Sequence, residues 1–114
     1  MKLLFVPFSG EALCVMHVFL NALDAADRGL EAGVVFEGAS TTLVPVYAAP
    51  DHPFHGLYVR AKAQGLILGA CRACSTKMGV LEAVQAEGLE LLGEMSGHPG
   101  LARFAAEGWR IITV

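Results

Sequence analysis

The chain is short of charge, has too few cysteines for a disulfide scaffold and lacks any long uninterrupted apolar run, and each of these closes off a class of function. Charged residues make up 17% of its 114 positions, against about 25% in an average soluble domain. Those present sum to −3 with histidines neutral, which lacks the basic excess that nucleic acid or an anionic membrane surface would call for. No stretch reaches the ~20 apolar residues of a membrane span. The opening "MKLLFVPFSGEALCVMHVFLNALDA" begins like a secretory leader, but Pro7, Ser9, Gly10 and Glu11 interrupt its apolar run early. A cytoplasmic location is expected. There, three cysteines point to free or reactive thiols rather than structural bridges.

What the chain has in excess is apolar surface. Hydrophobic residues reach 54%, in a length that suits one domain over residues 1–114 with one core. So small a body cannot hide that much apolar area alone, and self-association is expected.

Four stretches share a punctuation: "DRGLEAGVVF", "AQGLILGA", "AEGLELLG" and "AEGWRIITV". In each, a glycine follows a polar residue and precedes an apolar run, as at a helix stop leading into a strand. Gly29, Gly65, Gly88 and Gly108 are therefore read as helix ends. Strands are expected over Lys2–Phe8, Leu30–Glu37, Leu66–Ala70, Leu89–Glu94 and Trp109–Val114. Helices are expected over Gly10–Arg28, Thr41–Ala48, Phe54–Ala63, Cys74–Ala86 and Pro99–Ala106. Strict alternation with continuous apolar strands predicts an α/β fold, a five-stranded parallel sheet covered by helices on both faces. Ligands of such sheets gather at the carboxyl ends of the strands. That edge should carry Ser9–Glu11, Glu37–Ser40, Cys71–Thr76 and Met95–His98.

Within "LILGACRACSTKMGVL" the apolar run stops at Cys71 and Cys74. A thiol at a helix start meets free backbone N–H groups, and Arg72 and Lys77 add positive charge, so an activated thiolate is expected. Cys71, nearer the free amides, should be the more acidic and the first alkylated, ahead of Cys74 and then Cys14. Zinc would need two more ligands recruited from other loops, such as Cys14 and His98, so no metal and no cofactor are expected. A thioredoxin-like pair fits the strand–CxxC–helix order but not the purely alternating topology. His98 follows a strand and could stabilise a thiolate or move a proton. Glu37 ends the second strand with a carboxylate that would instead raise a thiol's pKa. In "EMSGHPGLARF", Ser96 or Gly97 is expected to cap the fifth helix. On the first helix His17 falls on a polar stripe and Cys14 borders it as a small hydrophobe; His52 and His55 are expected at the surface.

At "CRACSTKMG" the chain resembles the DsrE-like family of small α/β sulfur-relay proteins. Members carry a cysteine after a middle strand, eight positions before a glycine inside the next helix, a spacing that Cys71 and Gly79 keep. Some branches also have a CxxC. Family members usually have Arg directly before that glycine, where this chain has Met78 after Lys77. The resemblance implies five parallel strands, assembly into trimers or hexamers, and a cysteine that accepts a persulfide sulfur and hands it to a partner protein. Members of the family serve tRNA thiolation or dissimilatory sulfur oxidation. Carry-over reaches Cys71, and Cys74 for the CxxC branches; His98 matches no motif. The expected function is a cytoplasmic sulfur-relay protein with its persulfide on Cys71. The alternative is a non-enzymatic oligomeric binding or redox-sensing module using the same pair.

Overall fold

The computed structural model describes residues 1–114. The elements run β1 (Lys2–Val6), α1 (Ala12–Asp27), β2 (Glu31–Phe36), a 3-10 turn (Gly38–Thr42) leading into α2 (Leu43–Ala48), and α3 (His55–Ala63). They continue with β3 (Ile67–Cys71), α4 (Arg72–Lys77), α5 (Leu81–Ala86), β4 (Leu91–Leu92), α6 (Leu101–Ala106) and β5 (Trp109–Thr113). All neighbouring strands pair in parallel, in the order β4-β3-β2-β1-β5. The expected α/β architecture with five parallel strands between helices is the one observed.

The four predicted helix stops all have positive φ, as the alternation of polar residue, glycine and apolar run required. A fifth glycine acts the same way against expectation. Gly79 has φ +72°, a conformation an L side chain rarely tolerates. It divides the single helix expected over Cys74–Ala86 into α4 and α5. β4 is also shorter than its apolar run suggested, because only Leu91 and Leu92 register against Ala70 and Cys71 of β3.

Strand alternation sorts the core into two unequal layers. Phe5, Val34, Phe36 and Ala70 belong to a cluster of 19 buried residues that they share with side chains of α1, α2, α3 and α5. Leu4, Val6, Val35 and Leu92 face the other way, where Phe104 of α6 completes a cluster of five. Each fully buried Val, Leu or Phe is worth roughly 1.5–3 kcal/mol, so the first layer supplies most of the cohesion. The second face has a thin cover rather than a full helical layer. On α1, Val15, Val18, Phe19, Ala22 and Leu23 point into the large cluster. Leu13 and Leu20 remain 64% and 40% exposed. Cys14 is exposed as well, so it does not pack as the small hydrophobe its neighbours suggested.

Candidate functional site

The site begins where β3 runs out. Burial deepens along Ile67–Cys71 until Cys71, which is fully buried. Cys71 takes an extended conformation as N-cap of α4, and its sulfur accepts from the Cys74 amide at 3.3 Å. Its carbonyl accepts from the buried Ser75 hydroxyl at 2.7 Å. These bonds answer the orphan amides and carbonyls that any strand-to-helix joint leaves behind. Cys74 lies one turn further on and is half-buried.

His98 is delivered by a tight turn. Met95 and His98 pair antiparallel, each amide bonded to the other's carbonyl, at 2.9 and 3.0 Å. The two central residues, Ser96 and Gly97, have φ +53° and +93°. Positive φ at both centres is the requirement of a type I′ turn, and Ser96 accepts the strain that glycine avoids. The Ala73 amide donates to the Gly97 carbonyl at 2.8 Å, which clips the turn onto the start of α4. Ser96 and Gly97 therefore position the imidazole and do not cap α6, whose N-cap is Gly100. The Glu94 carboxylate instead accepts from the Gly100 amide at 2.8 Å. That bond holds its carboxyl below the usual range.

As a result, His98 Nδ1 stands 3.2 Å from Cys71 Sγ and 3.8 Å from Cys74 Sγ. Glu37 enters from the end of the adjacent β2, 7% exposed. Its amide donates to the Pro7 carbonyl at 3.1 Å. The Ser40 hydroxyl bonds the Pro7 and Glu37 carbonyls at 2.6 and 2.7 Å, which ties the ends of β1 and β2 together. The ligand-capable atoms of Glu37, Cys71, Cys74 and His98 all fall within 4.8 Å of one another.

Burial dominates the electrostatics here. It pushes the Cys71 thiol up to about 12, aided by its side-chain bond with Cys74 and the Glu37 charge, while the Cys74 amide pulls the other way. The local dipole argument thus loses to desolvation, which moves Cys71 away from the acidic thiol expected from its place at the helix start. Burial also raises Glu37, partly offset by the charge of His98.

Of the residues singled out in the sequence, the fold gathers Cys71, Cys74, His98 and Glu37 at one strand end. Arg72 and Lys77 lie exposed, and Cys14 belongs to α1, so two of the recruits zinc would need are found, but they are His98 and Glu37. His17 lines a surface groove with Phe5, Val18, Asn21, Ile112 and Val114, at the β5 side of the sheet. His52 and His55 are half-buried structural groups: His52 Nδ1 accepts from the Phe54 amide at 3.1 Å, and His55 Nδ1 lies 2.8 Å from the Tyr47 carbonyl. Ser75 was not anticipated, although its position four residues after Cys71 is a spacing at which a helical hydroxyl reaches back to a carbonyl.

No known protein-family profile matches the chain. It is similar to MJ0733, an uncharacterised protein of Methanocaldococcus jannaschii, with 26% identity over 98 residues that cover 86% of this chain and 78% of the relative. Its fold is similar to that of BT1422, a conserved protein of unknown function from Bacteroides thetaiotaomicron, with a TM-score of 0.71 and 20% identity. That match covers 99% of this chain and 94% of the other, so the whole five-stranded α/β body, and not a fragment of it, is a shared fold.

Proposed function

We propose that the protein is a DsrE-like sulfur carrier in which the Cys71/Cys74 pair holds a sulfane sulfur for a partner protein. The observation that carries this reading is one imidazole nitrogen lying 3.2 and 3.8 Å from the two sulfurs. The resemblance at "CRACSTKMG" and the strand-end position support it. Exposure divides the roles: Cys74 is half-buried and Cys71 is sealed, so sulfur enters at Cys74. His98 takes the Cys74 proton, and the thiolate attacks the outer sulfur of a donor persulfide, R–S–SH. The donor's S–S bond breaks, R–S⁻ leaves, and Cys74–S–SH forms. His98 passes that proton to R–S⁻, which departs as R–SH; Cys71 then gives its own proton to the freed nitrogen and attacks the outer sulfur. The product is a sheltered Cys71 persulfide and a Cys74 thiolate.

Intact-mass measurement on reduced protein after treatment with inorganic polysulfide tests this. The expected result is a gain of one sulfur that reductant removes. Cys74→Ser should block the gain, whereas Cys71→Ser should load and lose its sulfur faster. A wild-type protein that gains nothing, or forms only a Cys71–Cys74 disulfide, overturns the relay.

Self-association belongs to the same reading. Leu13 and Leu20 on α1, with Ile112 and Val114 at the β5 edge (39% and 43% exposed), leave apolar surface around the groove. Sedimentation at micromolar concentration should give a species larger than 12.0 kDa; a purely monomeric boundary overturns it.

A further inference from the structure

We propose that Glu37, Cys71, Cys74 and His98 form a closed binding site for one zinc-class divalent cation, each residue giving one ligand atom. The four atoms come from three different strand ends and lie within 4.8 Å of one another. Zinc bonds of about 2.3 Å to sulfur and 2.0–2.1 Å to nitrogen, at tetrahedral angles, place the two ligands roughly 3.6 Å apart. The distances from His98 Nδ1 to the two sulfurs, 3.2 and 3.8 Å, fall on either side of that value. Small side-chain adjustments are enough to close the set around an ion.

The chemistry of the donors selects the class. Two thiolates and an imidazole suit zinc and disfavour magnesium and calcium, which take oxygen ligands. Four protein donors leave no open position, so the ion would be held rather than used as a Lewis acid. The Cys74 amide donating to Cys71 Sγ at 3.3 Å is the kind of outer contact that supports a metal thiolate.

A second observation points independently to a cation. Glu37 is 7% exposed as a residue; no hydrogen bond or ion pair from the chain reaches its carboxylate, whose oxygens keep some contact with solvent. Partly desolvating a carboxylate that no donor bonds costs free energy. The other buried side chains that carry oxygen here, Ser40, Thr41 and Ser75, are each bonded to a carbonyl. Glu37 stands out by lacking such a bond, and its carboxylate faces two sulfurs and an imidazole nitrogen. A metal ion at their centre supplies the missing partner. Binding would displace both thiol protons to solvent and occupy both sulfurs, so metal and sulfane sulfur would exclude each other. The inference goes beyond sulfur relay and stands without it.

The test uses the full chain, reduced and stripped with chelator, titrated with Co²⁺ and then Zn²⁺. Co²⁺ should give thiolate charge-transfer and tetrahedral d–d absorption saturating at one equivalent, and Zn²⁺ should displace it. Cys74→Ser, His98→Ala and Glu37→Gln should each weaken Zn²⁺ binding by about tenfold or more, with far-UV circular dichroism confirming the fold. Should a larger truncation unfold the chain, the near-isosteric Glu37→Gln alone decides. Absence of the thiolate bands with equimolar metal, or Zn²⁺ affinity unchanged in Glu37→Gln and Cys74→Ser, overturns the site. Sulfur loading is read separately on metal-free protein. Loading without metal binding removes only this inference, and metal binding without loading removes only the relay.

Discussion

Two polar clusters are buried in this small protein, and they are built on opposite terms. Around Tyr47 and Tyr58 every group is answered. The Tyr47 hydroxyl donates to the Ala12 carbonyl at 2.8 Å, and the Tyr58 hydroxyl to Glu87 at 2.5 Å. Lys62 reaches the same carboxylate oxygen at 3.2 Å. Phe19 packs edge-on against both tyrosines, with centroids 5.0 and 6.0 Å away. At the end of β3, by contrast, two thiols, an imidazole and a carboxylate crowd together, and the carboxylate has no bonded partner. A satisfied network holds helices in place, whereas an under-satisfied one stores a demand that a ligand can meet. The first cluster should govern stability and the second reactivity.

The largest effect should come from breaking the first cluster. Tyr47→Ala removes a fully buried ring that joins α2 to α1, and should cost about 3–5 kcal/mol by denaturant titration. Thiol reactivity per folded molecule should be unchanged. A large change in reactivity would mean that the two clusters are coupled.

A smaller effect, opposite in sign at the two clusters, should follow from replacing the glutamate of each. The hydrogen bond from Tyr58, then that from Lys62, lowers the Glu87 carboxyl below its ordinary value. A depressed carboxyl stabilises the fold above the unfolded-state pKa, and loses that contribution as pH falls through the folded value. Glu87→Gln should therefore cost about 1 kcal/mol near neutrality. Its gap from the parent should close on acidification below the usual carboxylate range. Glu37→Gln, which removes a partly desolvated charge that no donor bonds, should leave the metal-free protein as stable as the parent or more so. Matching losses in both variants would show that Glu37 is structural.

The smallest perturbation is chemical labelling of the native protein. Exposure ranks the thiols, with Cys14 open, Cys74 half-buried and Cys71 sealed. Limiting alkylation followed by peptide mapping should label Cys14 first and Cys71 last. Early labelling of Cys71 would mean that the strand end opens readily, and that the contrast between the two clusters is not one of packing.

The alternation of helix and strand, the four glycine stops, the parallel sheet and the place of Cys71 and Cys74 at a strand end were all legible in local stretches of the chain. These follow from signals that act within a few residues: apolar runs, the left-handed tolerance of glycine and the N-cap of a helix. Gly79 carried the same local signal, but the apolar residues around it concealed the break it makes between α4 and α5. Which residues meet the thiols was set by the packed fold. Glu37 and His98 arrive there because β2, β3 and β4 lie side by side, and because a turn through Ser96 and Gly97 folds back onto α4. It also decided the state of Cys71, where burial beneath neighbouring loops outweighs the amide at its own helix start. Desolvation depends on everything packed around an atom, and no short stretch of sequence contains that information.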